Sequence, residues 1–218
     1  MADPDPSDPK DIVRKGYDKI SYAYRADEED ESAKQYHAWL DEMLPHLIGA
    51  EGQRPVVLDL GCGCGIPVAK RLASTCEVIG VDISEVQIER ARKLVPEANF
   101  ICSDMSALAF APRQFDAVVA FYSIIHVPLE EQPELFRKIA GWLKPGGLFM
   151  ATLGSKAWTG TEDNWLNAGA TMYWSHTGEE TYKQWLAEPG FAVLWTRFVP
   201  EGDGGHLLVL VRRPPFTT

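Results

Sequence analysis

The feature that most constrains this chain is a short apolar run that ends in a cluster of glycines. Val56-Val57-Leu58-Asp59-Leu60 reads as a buried strand, and Gly61-Cys62-Gly63-Cys64-Gly65 follows at once. Residues 67–73 then read as a helix, with Pro67 suited to its first turn. A strand that feeds a glycine turn and then a helix is the opening of an open α/β sheet. Such sheets bind ligands where strand ends meet these turns, and glycine lets a ligand approach the bare backbone.

The alternation continues. Glu77 to Val81 is a strand. Ser84 caps a helix to about Leu94, with Gln87 placed as the partner in a capping box. Asn99 to Cys102 and Phe115 to Phe121 are strands. Residues 130–143 form an amphipathic helix stopped by Lys144-Pro145-Gly146-Gly147, and Leu148 to Leu153 is a strand. A helix at 178–188 precedes strands at 191–198 and 206–212. Gly202-Asp203-Gly204-Gly205 between those strands signals a hairpin, so the last strand runs antiparallel to its neighbours. Buried strands alternating with helices predict a mostly parallel sheet.

Before the sheet, Ile12, Tyr17, Ile20 and Tyr24 predict a helix over 11–24, and Tyr36, Trp39, Leu40, Met43, Leu44 and Leu47 predict another over 33–48. Residues 1–10 hold three prolines and three aspartates and are expected to be a disordered tail. Residues 11–218 are expected to be one domain, with 11–48 as a helical cap. Residues 154–177 show no clear period and are expected to be a substrate-side insertion.

The formal charge is −10, and half of it lies in residues 1–31, which contain the run Asp27-Glu28-Glu29-Asp30-Glu31. That run reads as a solvated segment. An acidic surface repels polyphosphate, which argues against nucleic acid as a partner. The four cysteines show no zinc-type spacing, so they are expected as reduced thiols and no metal is expected. No secretory leader and no membrane-length apolar run is recognised. These features predict a soluble cytoplasmic protein, a monomer or homodimer, with no membrane partner.

Three details narrow the ligand. The glycine spacing is GxGxG and not the GxGxxG of dinucleotide sites. Asp59, two residues before the first glycine, suits an ammonium group and would repel a pyrophosphate. Asp82 and Asp104 end the next two strands; Asp82 can accept from ribose hydroxyls and Asp104 from an adenine amino group. An ammonium, a ribose and an adenine without phosphate describe S-adenosylmethionine.

In these residues the chain resembles the class I, Rossmann-like S-adenosylmethionine-dependent methyltransferases, in their small-molecule branch. Val57-Leu58-Asp59-Leu60-Gly61-Cys62-Gly63-Cys64-Gly65 is similar to their first motif, Val81-Asp82-Ile83-Ser84 to the second and Ser103-Asp104-Met105-Ser106 to the third. Phe115 to Val119 is similar to the fourth strand and Leu143 to Gly147 to the turn before the fifth. The resemblance implies a seven-stranded, mostly parallel sheet with its last strand antiparallel, helices on both faces and a helical N-terminal cap. It places Asp59, Gly61, Cys62, Gly63 and Pro67 about the cofactor, with Cys62 contributing backbone only. Asp82, Ile83 and Gln87 are implied at the ribose end, and Asp104, Met105 and Ser106 at the adenine. Phe121 and Tyr122 are implied nearby. Tyr17 and Tyr24 match tyrosines that in relatives reach the cofactor's carboxylate or cover the site.

The implied activity is methyl transfer to O, N or S of a small molecule, secondary metabolites included, with S-adenosylhomocysteine as product. A phenol or alcohol acceptor benefits from a histidine base. His176, after Tyr173-Trp174 in the insertion, and His126, after the fourth strand, are the candidates; His37 and His46 read as structural, and His206 opens the last strand. Tyr122, Tyr173 and Trp174 are candidate acceptor contacts. Two other readings stay open: a non-enzymatic S-adenosylmethionine-binding module, and an NAD-dependent oxidoreductase, which the glycine spacing and Asp104 disfavour.

Overall fold

In the computed structural model, which describes residues 8–47, 49 and 52–215, the apolar runs assemble into a seven-stranded sheet. β1 (Val56–Leu60), β2 (Glu77–Asp82), β3 (Asn99–Cys102), β4 (Phe115–Ala120) and β5 (Leu143–Gly154) are parallel. β8 (Ala192–Glu201) and β9 (Gly204–Arg212) complete the order β3-β2-β1-β4-β5-β9-β8. β9 runs antiparallel to both β5 and β8, as the glycine-rich turn before it predicts.

The strands are apolar on both faces because both faces are covered. Leu58, Leu60, Val118, Ala120, Phe149, Ala151, Val209 and Val211 point to one core with α5 (Gln132–Trp142) and α6 (Glu179–Ala187). Val57, Ala117, Val119, Leu148, Met150, Leu208 and Leu210 point to the other. There they meet α2 (Ala33–Met43), α3 (Val68–Ala73) and α4 (Glu85–Leu94). The period of two along each strand is therefore kept, and Asp59 is the one acid of β1.

Several details differ from the sequence reading. α1 spans Pro9–Tyr24, so Pro9 and Lys10 are helical and do not belong to a disordered tail; residues 1–7 lie outside the described residues. Asp8 caps α1 by accepting from Lys10 N, and proline fits the first helical position. α2 ends at Met43, where Pro45 gives a short 3-10 turn over Leu44–His46. Ser84 does cap α4, accepting from Gln87 N at 3.1 Å. The second half of the expected box is absent, because the Gln87 side chain accepts from Ser21 Oγ at 2.9 Å.

The stretch that showed no period is a hairpin. β6 (Trp158–Trp165) and β7 (Ala170–His176) pair antiparallel in a separate two-stranded sheet. The pattern was hidden because β6 is exposed along nearly its whole length. α1 rests on β7 at Gly16, where a Cβ would lie 2.9 Å from both Met172 Cε and Thr171 O.

The acidic run is partly engaged with the protein. Arg90 of α4, 3% exposed, donates to Ser21 O at 2.6 Å and to Arg25 O and Asp27 Oδ1 at 2.7 Å. It thereby adds a second donor to Ser21 O, which already accepts from Arg25 N at 3.2 Å, and satisfies Arg25 O beyond the end of α1. Its guanidinium also lies 4.0 Å from the Tyr22 ring centroid.

Gln132 is fully buried. Its amide donates to Ile124 O, Val127 O and Ser175 O at 3.2, 2.8 and 2.7 Å, and Tyr182 Oη donates to its carbonyl at 3.0 Å. It joins the loop after β4 to β7 and α6. Gln132→Leu strands these groups, and a buried group without its partner costs about 1–3 kcal/mol. Urea denaturation should therefore show a loss of about 2–4 kcal/mol; a loss below about 1 kcal/mol contradicts this role.

Candidate functional site

The glycine turn is folded back onto β2. Gly61 N and Cys62 N both donate to Val81 O, at 2.7 and 3.0 Å. Gly61 has φ +77°, and a Cβ on it would come within 2.2 Å of Ser123 Cβ, so neither the conformation nor the space admits a side chain. At Gly63, φ +54°, no atom lies within 4 Å of where a Cβ would stand. The backbone is open to a ligand there.

Gly63 N donates to Asp82 Oδ2 and Ser84 N to Asp82 Oδ1, each at 2.9 Å. Burial raises the Asp82 carboxyl to about 6, although these backbone donors oppose the shift. A carboxylate has about four acceptor positions, so these backbone donors do not saturate Asp82. Asp59 is 2% exposed and its Oδ2 has no hydrogen-bond partner among the described residues. Burial, with Asp82 nearby, lifts it to about 8.

These groups line two adjoining hollows. A cleft of about 660 Å³ is bounded by Gly61, Gly63, Asp82, Ile83, Asp104, Met105, Phe121 and Tyr122, and by Lys10, Val13, Tyr17 and Tyr24 of α1. Gln87, Ser103, Ser123 and His126 also face it. A hollow of about 400 Å³ beside the glycine turn holds Asp59, Cys62, Cys64 and Pro67 together with Tyr24, Arg25 and Tyr36. A buried acid without a partner and an open glycine backbone, between carboxylates at successive strand ends, fit a cofactor with an ammonium group and ribose hydroxyls.

A third hollow, of about 800 Å³, adjoins the cleft. Tyr36, Trp165, Trp174, Arg25, Pro200, Glu201 and His206 line it, and it shares Tyr17, Tyr24, Tyr122 and His126 with the cleft. His126 is buried in that common wall. Its Nδ1 lies 2.7 Å from Tyr173 O and its Nε2 3.0 Å from Tyr17 Oη. A carbonyl only accepts, so Nδ1 carries the proton in the neutral ring and Tyr17 donates to Nε2. Burial lowers His126 to about 4.

Most residues expected about a cofactor are thus together. Four expectations change. Ser106 does not line the cleft; its N and Oγ donate to Asp104 at 2.9 and 2.8 Å. The Cys62 N–H is committed to Val81 O and is not free for a ligand. His176 lines none of the three hollows, and its Nδ1 is 2.6 Å from Lys156 O. Tyr173 meets the site through its backbone carbonyl and not its ring.

Sequence reasoning missed Lys10, Arg25, Ser123 and Glu201, and ranked His206 behind the other two candidate histidines although it lines the third hollow. Lys10 Nζ donates to Asp104 Oδ2 and Ser106 Oγ at 2.8 Å and to Glu131 Oε2 at 2.6 Å. Burial raises the Asp104 carboxyl, but hydrogen bonds from Lys10 and Ser106 bring it below the usual carboxylate range. Lys10 sits in a stretch whose composition signals only a tail. Ser123 donates to Leu60 O at 2.6 Å, and a serine just after β4 carries no distinctive signal.

A family model described as a methyltransferase domain matches residues 57–147. Demethylmenaquinone methyltransferase of Symbiobacterium thermophilum is 30% identical over 180 residues, covering 78% of this chain and 68% of that protein. The chain belongs to the S-adenosylmethionine-dependent methyltransferases. Sterol 24-C-methyltransferase of Clavispora lusitaniae is 33% identical over 127 residues, 55% of this methyltransferase chain. The match spans only 33% of the sterol enzyme's length. The crystal structure of magnesium protoporphyrin IX methyltransferase from Synechocystis, with S-adenosylhomocysteine bound, superposes with a TM-score of 0.71. At 19% identity, covering 94% of this chain and 100% of that one, it shows that the methyltransferase fold is shared.

The bonding at His126 fixes one tautomer. Nitrogen–proton correlation spectra of the methyltransferase should show the Nδ1–H form of His126 unchanged from pH 7.5 to 5.5, with titration only near 4. An ordinary midpoint close to 6.5 would contradict the buried dyad.

Proposed function

We propose that the chain transfers a methyl group from S-adenosylmethionine to O, N or S of a small molecule. The observation that carries this reading is the wall shared by the cleft and the aromatic hollow. Tyr17, Tyr24, Tyr122 and His126 belong to both, so donor and acceptor meet without an intervening layer of protein. Reactants held at such a junction gain the advantage of proximity and alignment. Bound there, the cofactor supplies an electrophilic methyl carbon whose bond to sulfur breaks as the bond to the acceptor forms.

In this reading Asp59 holds the cofactor's ammonium group and Asp82 accepts from both ribose hydroxyls. Asp104 keeps one lone pair on Oδ1 for the adenine amino group after its bonds to Lys10 and Ser106. Met105 packs at the same end. Arg25, which lies 5.4 Å from the Tyr36 ring centroid and lines the hollow with Asp59, is suited to the cofactor's carboxylate.

On the acceptor side Tyr17 donates a hydrogen bond to His126 Nε2 and so turns oxygen lone pairs outward. An acceptor X–H can donate to that oxygen. His126 lies below the ordinary histidine range, so the pair orients and weakly assists proton loss. This suits an acidic hydroxyl, a thiol or a heteroaromatic nitrogen better than an aliphatic alcohol. His126, and not His176, carries the role. The reading includes a cytoplasmic setting, supported by four free cysteines. Among the described residues no helix is long and apolar enough to cross a membrane.

Thermal melts with S-adenosylmethionine, S-adenosylhomocysteine and NAD test the reading. A ligand at 100 times its dissociation constant adds about 2.7 kcal/mol. Both adenosyl compounds should shift the melt and NAD should not, and Asp82→Ala should abolish most of the shift. A shift with NAD alone would point to a dehydrogenase, and binding without methyl transfer to any small molecule would point to a non-enzymatic module.

Asp59 gives a second test. At pH 7 burial holds it mainly protonated, since its value is about 8. An ammonium beside it favours the carboxylate, so cofactor binding should release close to one proton. Calorimetry in buffers of different ionisation enthalpy reads that proton. Asp59→Asn should remove it, and an unchanged release from the variant would assign the proton elsewhere.

A further inference from the structure

We propose that the methyl acceptor is a flat, hydrogen-bonding aromatic ring (a phenol, hydroxyquinone or N-heteroaromatic) and that Trp174, Glu201 and His206 bind its polar edge. The inference rests on the methyltransferase reading above and deepens it. It also departs from the aliphatic skeleton that the name of the sterol-acting relatives would suggest.

Three observations carry it. The first is the arrangement of rings in the 800 Å³ hollow. Trp165 and Trp174 stand nearly perpendicular, at 82° with centroids 5.4 Å apart. Each is backed by a second ring: Tyr24 lies 5.6 Å from Trp165 at 35°, and His126 lies 4.4 Å from Trp174 at 37°. Two aromatic walls at right angles let a planar ring stack on one and meet the other edge-on.

The second is an unmet polar group. Trp174 Nε1 is buried with no hydrogen-bond partner among the described residues. A ligand that brings an acceptor atom, such as a ring carbonyl or ring nitrogen, would satisfy this buried donor. A hydrocarbon skeleton would fill the space and leave the N–H stranded.

The third is charge. Glu201 ends β8 and His206 lies in β9, across the hairpin turn, and their side chains pair at 3.1 Å, Nε2 to Oε2. The Glu201 carboxylate is 62% exposed at the side chain, so it keeps lone pairs for a ligand donor. His206 packs edge to face on Tyr122, with centroids 5.0 Å apart. Tyr122 is part of the wall shared with the cofactor cleft. A ring held by Glu201 and Trp174 therefore lies against the wall of Tyr17, Tyr122 and His126 that the hollow shares with the cofactor cleft. Burying such polar groups beneath an aliphatic ligand is unfavourable, whereas a ring with both donor and acceptor atoms satisfies them.

Calorimetric titration of the protein saturated with S-adenosylhomocysteine tests this. The flat probes are 2-hydroxy-1,4-naphthoquinone, 7-hydroxycoumarin and lumazine; the aliphatic probes are zymosterol and farnesol in cyclodextrin. At least one flat probe should bind about tenfold or more tightly than either aliphatic probe. Trp174→Phe, which keeps a ring but removes the N–H, and Glu201→Gln should each weaken that probe about tenfold. S-adenosylhomocysteine affinity, measured in the same variants, reports whether the fold is kept. Tighter binding of the aliphatic probes, no flat probe bound below 1 mM, or flat-probe affinity indifferent to both substitutions would each overturn the inference. Failure of S-adenosylhomocysteine itself to bind the unmodified protein would instead overturn the cofactor reading, so the two failures are distinct.

Discussion

The site depends on one backbone turn, the fold of the first glycine loop onto the end of β2. Two amides, Gly61 N and Cys62 N, converge on Val81 O, and a third, Gly63 N, meets the carboxylate of the next residue, Asp82. The turn can be this tight only because Gly61 has no Cβ to strike Ser123. Once it forms, the ends of β1, β2 and β4 are fixed relative to one another. Asp59 and Asp82 are then drawn close beneath the loop, and burial makes both carboxyls reluctant to ionise. No cationic side chain is hydrogen-bonded to either acid among the described residues, which is why a ligand ammonium group is proposed there.

The sheet was legible in the sequence for a simple reason. Strands buried on both faces read as uninterrupted apolar runs, and Val56 to Leu60 and Phe115 to Ala120 are such runs. The turn Gly202 to Gly205 gave the antiparallel last strand for the same kind of local reason. The acids at strand ends were legible because their spacing follows the strands. The hairpin of β6 and β7 was not, since exposure on one strand removes the alternation that burial imposes.

What escaped the sequence were contacts made across long separations. Lys10 reaches residues about a hundred positions on, and its neighbours in sequence resemble a solvated tail. His126 illustrates the opposite limit. Its place after β4 was readable, but its commitment to Tyr173 O and Tyr17 Oη arises only when the hairpin and α1 close over it. His176 was plausible from its aromatic neighbours, yet the strand turns it toward Lys156. Chemistry at a strand end is encoded locally, whereas chemistry at a wall made of three elements is not.

α1 touches every part of that wall. Its first turn places Lys10 at Asp104, its middle rests on β7 through the bare backbone of Gly16, and its end presents Tyr24 and Arg25 under the grip of Arg90. The same helix therefore lines both the cleft and the aromatic hollow. Under the proposed function, lifting it to release spent cofactor would also open the acceptor side. In the proposed function the release of the two products is thereby coupled through one helix.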